Sequence, residues 1–141
     1  MARLLLLLAL FAGAPDARAC GYCVEDKMAA VYDHSVVVRA MDRGHPVAFF
    51  AIEGATPARA GLRRAMESTI DATPGVDRGT ARVSLESGSL SFAYDPRRPG
   101  LGPVLKAIEK ALSGNGLSFS ILRVLDETPA TPPRAAAAAR S

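Results

Sequence analysis

Cys20 and Cys23 are the only cysteines of the 141-residue chain, and they lie together in the run "CGYCVEDKMAAVYDH". Two thiolates at this spacing can converge on one soft ion. Cu(I) accepts two sulfurs, whereas Zn2+ normally takes four ligands. The same pair can close into an inert local disulfide, the default in an oxidising compartment, or exchange with other thiols. Glu25 and Asp26 follow Cys23, Arg39 and Arg43 come late, and Gly44 closes the run. This order suits a helix, whose positive end would face the thiols and favour the thiolate form. Metal, disulfide and exchange therefore stand side by side as readings of Cys20 and Cys23.

Other donor types do not join the pair. His34 lies eleven positions after Cys23. On one continuous helix that is ~16 Å along the axis, too far to share an ion unless the helix breaks. His45 precedes Pro46 at a strand entry and has no partner legible in sequence. Met28, Met41 and Met66 do not cluster and suit core filling better than soft ligation. The chain shows no Ser-His-Asp grouping, paired catalytic carboxylates, P-loop or Rossmann glycine pattern, so the reading is not an enzyme.

The elements that must position the pair begin with a leader. In "MARLLLLLALFAGAPDARA", Arg3 precedes an apolar run, "GAP" breaks it, and Ala17 and Ala19 supply small residues. That is the layout of a secretory signal peptide over residues 1–19, too short in its apolar part to span a bilayer in the mature chain. Cleavage after Ala19 makes Cys20 the first mature residue and adds its α-amine as a further nitrogen donor. A lipoprotein signal would place Leu three residues before that cysteine and a small residue two before. Ala17 and Arg18 stand there instead. The reading is export, to the periplasm.

Charge says little about partners. Setting aside Arg3, Asp16, Arg18, Arg134 and Arg140 of the leader and of the tail beyond Glu127 leaves 13 basic against 13 acidic side chains. Aromatic content is 6%, and the basic, aromatic-rich footprint of a nucleic-acid binder is missing, which excludes that class. The expected partners are a metal ion and an envelope protein.

Residues 20–44 form an N-terminal segment read as helix, with the "SVVVRA" run as a competing strand. "HPVAFFAIEG" then reads as a buried strand over 46–53. A helix follows with Thr56 as N-cap and Pro57 at its first position, burying Leu62, Ala65, Met66, Thr69 and Ile70. Pro74-Gly75 ends it. Ala81, Val83 and Leu85, then Leu90, Phe92 and Tyr94, alternate with polar or small residues about an "SGS" turn, a hairpin signature. "GPVLKAIEKALSGNG" is a second helix, opened by Pro103, closed by Gly114 and burying Val104, Leu105, Ile108, Ala111 and Leu112. "LSFSILRVL" is a last strand, and the Pro- and Ala-rich residues 127–141 read as a disordered tail. Arg63, Arg64, Arg97 and Arg98 read as solvated surface. Strand, helix, strand, strand, helix, strand over residues 45–126 is an α+β, ferredoxin-like βαββαβ sandwich, here with an N-terminal helical extension. Its sheet is antiparallel and both helices share one face.

With these landmarks in order, the stretch from "IEGATPARAG" through "PGV" (residues 74–76) and "YDP" (94–96) to "VLKAIEKAL" resembles the heavy-metal-associated domain of copper chaperones and metal-transporting ATPases. The likeness covers roughly residues 46–125. It implies the ferredoxin-like fold and heavy-metal binding, Cu(I) first and Zn2+ second. That family carries Gly-Met-Thr-Cys-x-x-Cys after its first strand. Here Gly54, Ala55 and Thr56 are followed by Pro57 and Ala60 where the cysteines would stand, and neither can bind a soft metal. The fold carries over and the loop site does not, which leaves Cys20 and Cys23 as the metal ligands of the reading. Its alternatives are a non-metal interaction module of the cell envelope with an inert disulfide, and a thiol-disulfide exchange protein.

Overall fold

A computed structural model describes residues 23–54 and 60–126. Residues 1–22, 55–59 and 127–141, and with them the expected signal peptide, Cys20, Thr56, Pro57 and the expected disordered tail, lie outside the described residues. In chain order the elements are α1 (Val24–Ala29), α2 (His34–Asp42), β1 (Val47–Glu53), α3 (Leu62–Asp71), β2 (Arg82–Ser84), β3 (Ser89–Ala93), α4 (Leu101–Leu112), a 3-10 turn (Ser113–Asn115) and β4 (Ser118–Leu125). The four strands make one sheet in the order β2-β3-β1-β4, and every pairing is antiparallel. From β1 onward this is the expected βαββαβ order.

β1 explains how the core is divided. Its run "VAFFAI" is apolar at every position because it is central and buried on both faces. Ala48, Phe50 and Ile52 face α3 and α4, meeting Met66, Ile70, Val104 and Ile108. Phe50 and Phe92 stack there with ring centroids 5.3 Å apart. Val47 and Phe49 face the other way, into a second cluster with Met28, Val31, Val37, Ala40 and Ala93. The N-terminal extension therefore covers the second face of the sheet. The molecule has three layers, helix on sheet on helix, where the sequence pattern predicted two.

The extension is two helices, not one. Asp33 ends the continuity: its carboxylate Oδ1 accepts from Ser35 N at 2.9 Å and Val36 N at 3.2 Å, and so caps α2. The valine run is helical after all, because Val36, Val37 and Ala40 sit on the face turned toward the protein. α3 starts at Leu62, behind Gly61 in the left-handed region, and the expected start at Thr56 and Pro57 lies outside the described residues. Ala65 and Ala111 are exposed and not buried as the apolar pattern predicted, and Thr69, half-buried, turns its hydroxyl to the Ala65 carbonyl at 2.8 Å. The β2–β3 turn spans residues 85–88, with Ser89 already in the strand. α4 passes into the 3-10 turn, so the left-handed closing residue is Gly116 and not Gly114.

The serines of β3, Ser89 and Ser91, are buried. Ser91 donates to the Val31 carbonyl at 2.8 Å, so its hydroxyl fastens the α1–α2 link to the sheet. At the β2 edge, α3 supplies the missing acceptors. Asp71 takes the Ala81 amide at 3.1 Å and Glu67 the Val83 amide at 3.2 Å. Those carboxylates close an edge that would otherwise offer free amides to another strand.

Candidate functional site

Cys23 is exposed and stands at the N-cap of α1. Its backbone carbonyl accepts from Lys27 N at 3.1 Å, and its side chain makes no capping bond. The helix behind it is held at two points. Met28 is buried in the second cluster, and Glu25 accepts from Arg123 of β4 at 3.2 Å. The thiol is therefore presented on a short, anchored turn beside β4. Its partner in the motif, Cys20, lies outside the described residues.

His34 is exposed at the first turn of α2, with its Nδ1 3.4 Å from the Tyr32 hydroxyl. The break between α1 and α2 removes the single-helix geometry that set it apart from Cys23. Even so, no group of three or more His, Cys, Asp or Glu side chains among the described residues is arranged to hold a metal.

The stretch from Gly54 to Ala60 has no cysteine, histidine or carboxylate in its sequence. Gly54 adopts φ +108°, and a Cβ there would lie 2.7 Å from the Gly116 carbonyl oxygen, so its role is the close approach of two turns. Ala60, standing where the resemblance places a second cysteine, is exposed. It opens onto a groove between α3 and α4 lined by Gly61, Ala65, Thr69 and Ala111. A methyl group there does not fit a soft metal.

Two polar clusters escaped the sequence reading. His45 Nδ1 lies 2.9 Å from both carboxylate oxygens of Asp77, and Arg43 reaches the same carboxylate at 3.4 Å. Nothing in the spacing of 32 residues could signal this contact; the turn after "PGV" brings Asp77 to the start of β1. The second is Asp33. Besides capping α2, its Oδ2 accepts from Arg82 Nε at 3.1 Å and Nη2 at 2.8 Å. That fork ties the extension to β2. The Ser35 hydroxyl, then Arg82, then the Val36 amide hold the Asp33 carboxyl well below the usual carboxylate range.

The sign of this shift gives a pH dependence. A carboxyl whose folded pKa is depressed stabilises the fold fully above its unfolded value, ~3.9, and loses that contribution as pH falls below it. Urea midpoints measured from pH 6 down to pH 2 should therefore fall less steeply below about pH 4 in Asp33→Asn than in the wild type. Equal slopes would deny Asp33 this role.

No family model matches the chain, and a search of curated proteins finds no match. Several solved domains are similar. A copper-binding domain from HMA7, a P-type ATPase, is 22% identical over 56% of this chain and 96% of that chain, with a TM-score of 0.44. The N-terminal domain of a potential copper-translocating P-type ATPase from Bacillus subtilis, in its Cu(I)-loaded state, is 22% identical over 59% and 94%, with a TM-score of 0.45. The N-terminal domain of the zinc(II) ATPase ziaa in its apo form is 17% identical over 53% of this chain and 63% of that chain, with a TM-score of 0.41. The ferredoxin-like architecture itself rests on the strand order and connectivity above.

Proposed function

We propose that this chain is an exported heavy-metal-binding or metal-transfer protein of the periplasm whose ligands are the thiolates of Cys20 and Cys23. The observation that carries the reading is the presentation of Cys23: exposed, free of any capping role, and held over the sheet by a buried methionine and an ion pair. Two soft sulfurs from one short motif suit Cu(I), which is satisfied by two thiolates. Zn2+ normally takes four ligands, and the described residues bring no third donor to the motif, so it ranks second.

Titration of the reduced mature chain with Cu(I) against a competing chelator tests this. The expected result is one equivalent bound, with binding abolished in Cys20→Ser, Cys23→Ser. No stoichiometric binding, or binding unchanged in that double variant, overturns the reading. A pair found fully oxidised in the native compartment and indifferent to metal favours an interaction module with an inert disulfide.

A further inference from the structure

β4 does not alternate evenly. From Ser118 to Ile121 it pairs with β1 in one register, with Phe50 opposite Ile121; Phe49 then stands opposite Arg123, and Leu122 is an extra residue. In an unbroken strand residues 121 and 123 would share a face. Residues opposite one another in an antiparallel ladder also share one. Ile121 therefore lies with Phe50 on the side of α3 and α4, and Arg123 lies with Phe49 on the side of the extension. The bulge turns Arg123 across the sheet. Bulges re-aim side chains in this way and are over-represented next to functional sites.

On that side Arg123 meets Glu25, donating from Nη2 to Oε1 at 3.2 Å. Glu25 is the second residue of α1 and stands two places after Cys23. α1 has six residues, too few to hold a helix by their own hydrogen bonds. Met28 seats its later part in the second cluster. The Arg123–Glu25 pair is the one side-chain bond to its first turn among the described residues. Both side chains are at least half-exposed, so the pair adds little to global stability. What it adds is order at the end of α1 that carries Cys23.

We infer that Arg123 is a positioning residue for the cysteine motif. Through Glu25 it fixes the first turn of α1, and with it the direction in which Cys23 is presented and the hold on an ion bound there. The inference rests on the reading of Cys20 and Cys23 as metal ligands, and one arm of its test uses no metal.

That arm is backbone 15N relaxation of the reduced, metal-free mature chain. The Lys27 amide is the central probe, because it donates to the Cys23 carbonyl at 3.1 Å. Val24 through Lys27 should be as ordered as α2 in the wild type and loosened in Arg123→Gln, with the urea midpoint unchanged. The second arm is Cu(I) affinity against a competing chelator, which should fall several-fold in Arg123→Gln. Arg64→Gln removes an equal charge from exposed α3 surface and should change neither readout. The double variant Glu25→Arg, Arg123→Glu should recover part of what each single change loses. Unchanged order in Arg123→Gln, losses that merely add in the double variant, an equal loss in Arg64→Gln, or a loosened α1 with Cu(I) affinity intact overturns it. A wild type that binds no Cu(I) overturns the metal reading instead, and the relaxation result then decides by itself whether Arg123 orders α1.

Discussion

Phe49→Ala is expected to cost about 3–5 kcal/mol of stability, as large as a substitution in the main core. Phe49 is fully buried, on the sheet face away from α3 and α4. Its ring stacks on Tyr32, centroids 6.4 Å apart and planes 13° from parallel, and Met28, Val31, Val37 and Ala40 complete its surroundings. Truncation leaves a cavity between sheet and extension that neither side can close, because Val47 and Ala93 are fixed in the strands. Urea denaturation should show the midpoint falling with little change in slope. Hydrogen exchange should quicken at Val36 through Ala40, because the extension loses its central contact. A cost below about 1 kcal/mol would mean that the extension is only laid against the sheet, since surface sites away from packed features fall in that range.

Gly75→Ala is expected to cost about 2–4 kcal/mol from two additive sources. Gly75 sits at φ +95°, where an L-residue is strained by ~1 kcal/mol or more. A Cβ there would also run into the Pro99 ring and come within 2.8 Å of Val104 Cγ2. Val104 is fully buried on α4 and cannot step aside. Gly79→Ala separates the two terms: its φ is +76°, and an added Cβ meets nothing within 4 Å. That control should lose only the backbone term, and thermal melts of the pair should differ by the packing term. Equal losses would place the whole effect in the backbone. Gly75 is thus the point where the end of α3, the turn before α4 and α4 itself close on one another, which gives the "PGV" landmark a physical reason.

The ferredoxin-like order was legible because its signals are local. Periodicity marked Met66, Ile70, Val104 and Ile108, alternation marked the hairpin, and Pro103 and Gly75 stood at element ends. The third layer was written less plainly. The unbroken apolar run of β1 already requires burial on both faces, but sequence does not say what covers the second face. The answer depended on Asp33, whose capping of α2 splits one expected helix and folds the extension back over the sheet. Ser91 is a related case: it alternates with Leu90 and Phe92 in the sequence, yet it is buried and donates to a backbone carbonyl of the extension, while the buried Ser89 shares a hydrogen bond with Ser87. The His45–Asp77 contact was invisible because it is a product of tertiary closure. At the candidate site, the residue types named Cys20 and Cys23, and the loop residues Pro57 and Ala60 ruled themselves out by chemistry alone. The anchoring of α1 by Met28 and Glu25 needed the fold.

X-ray absorption at the copper edge, on the mature reduced chain carrying one equivalent of Cu(I), tests the central claim most directly. The expected spectrum shows a shell of two sulfurs around the metal, unchanged in His34→Ala and absent in Cys20→Ser, Cys23→Ser. A shell dominated by nitrogen or oxygen, or a sulfur signal that survives the double substitution, would contradict it.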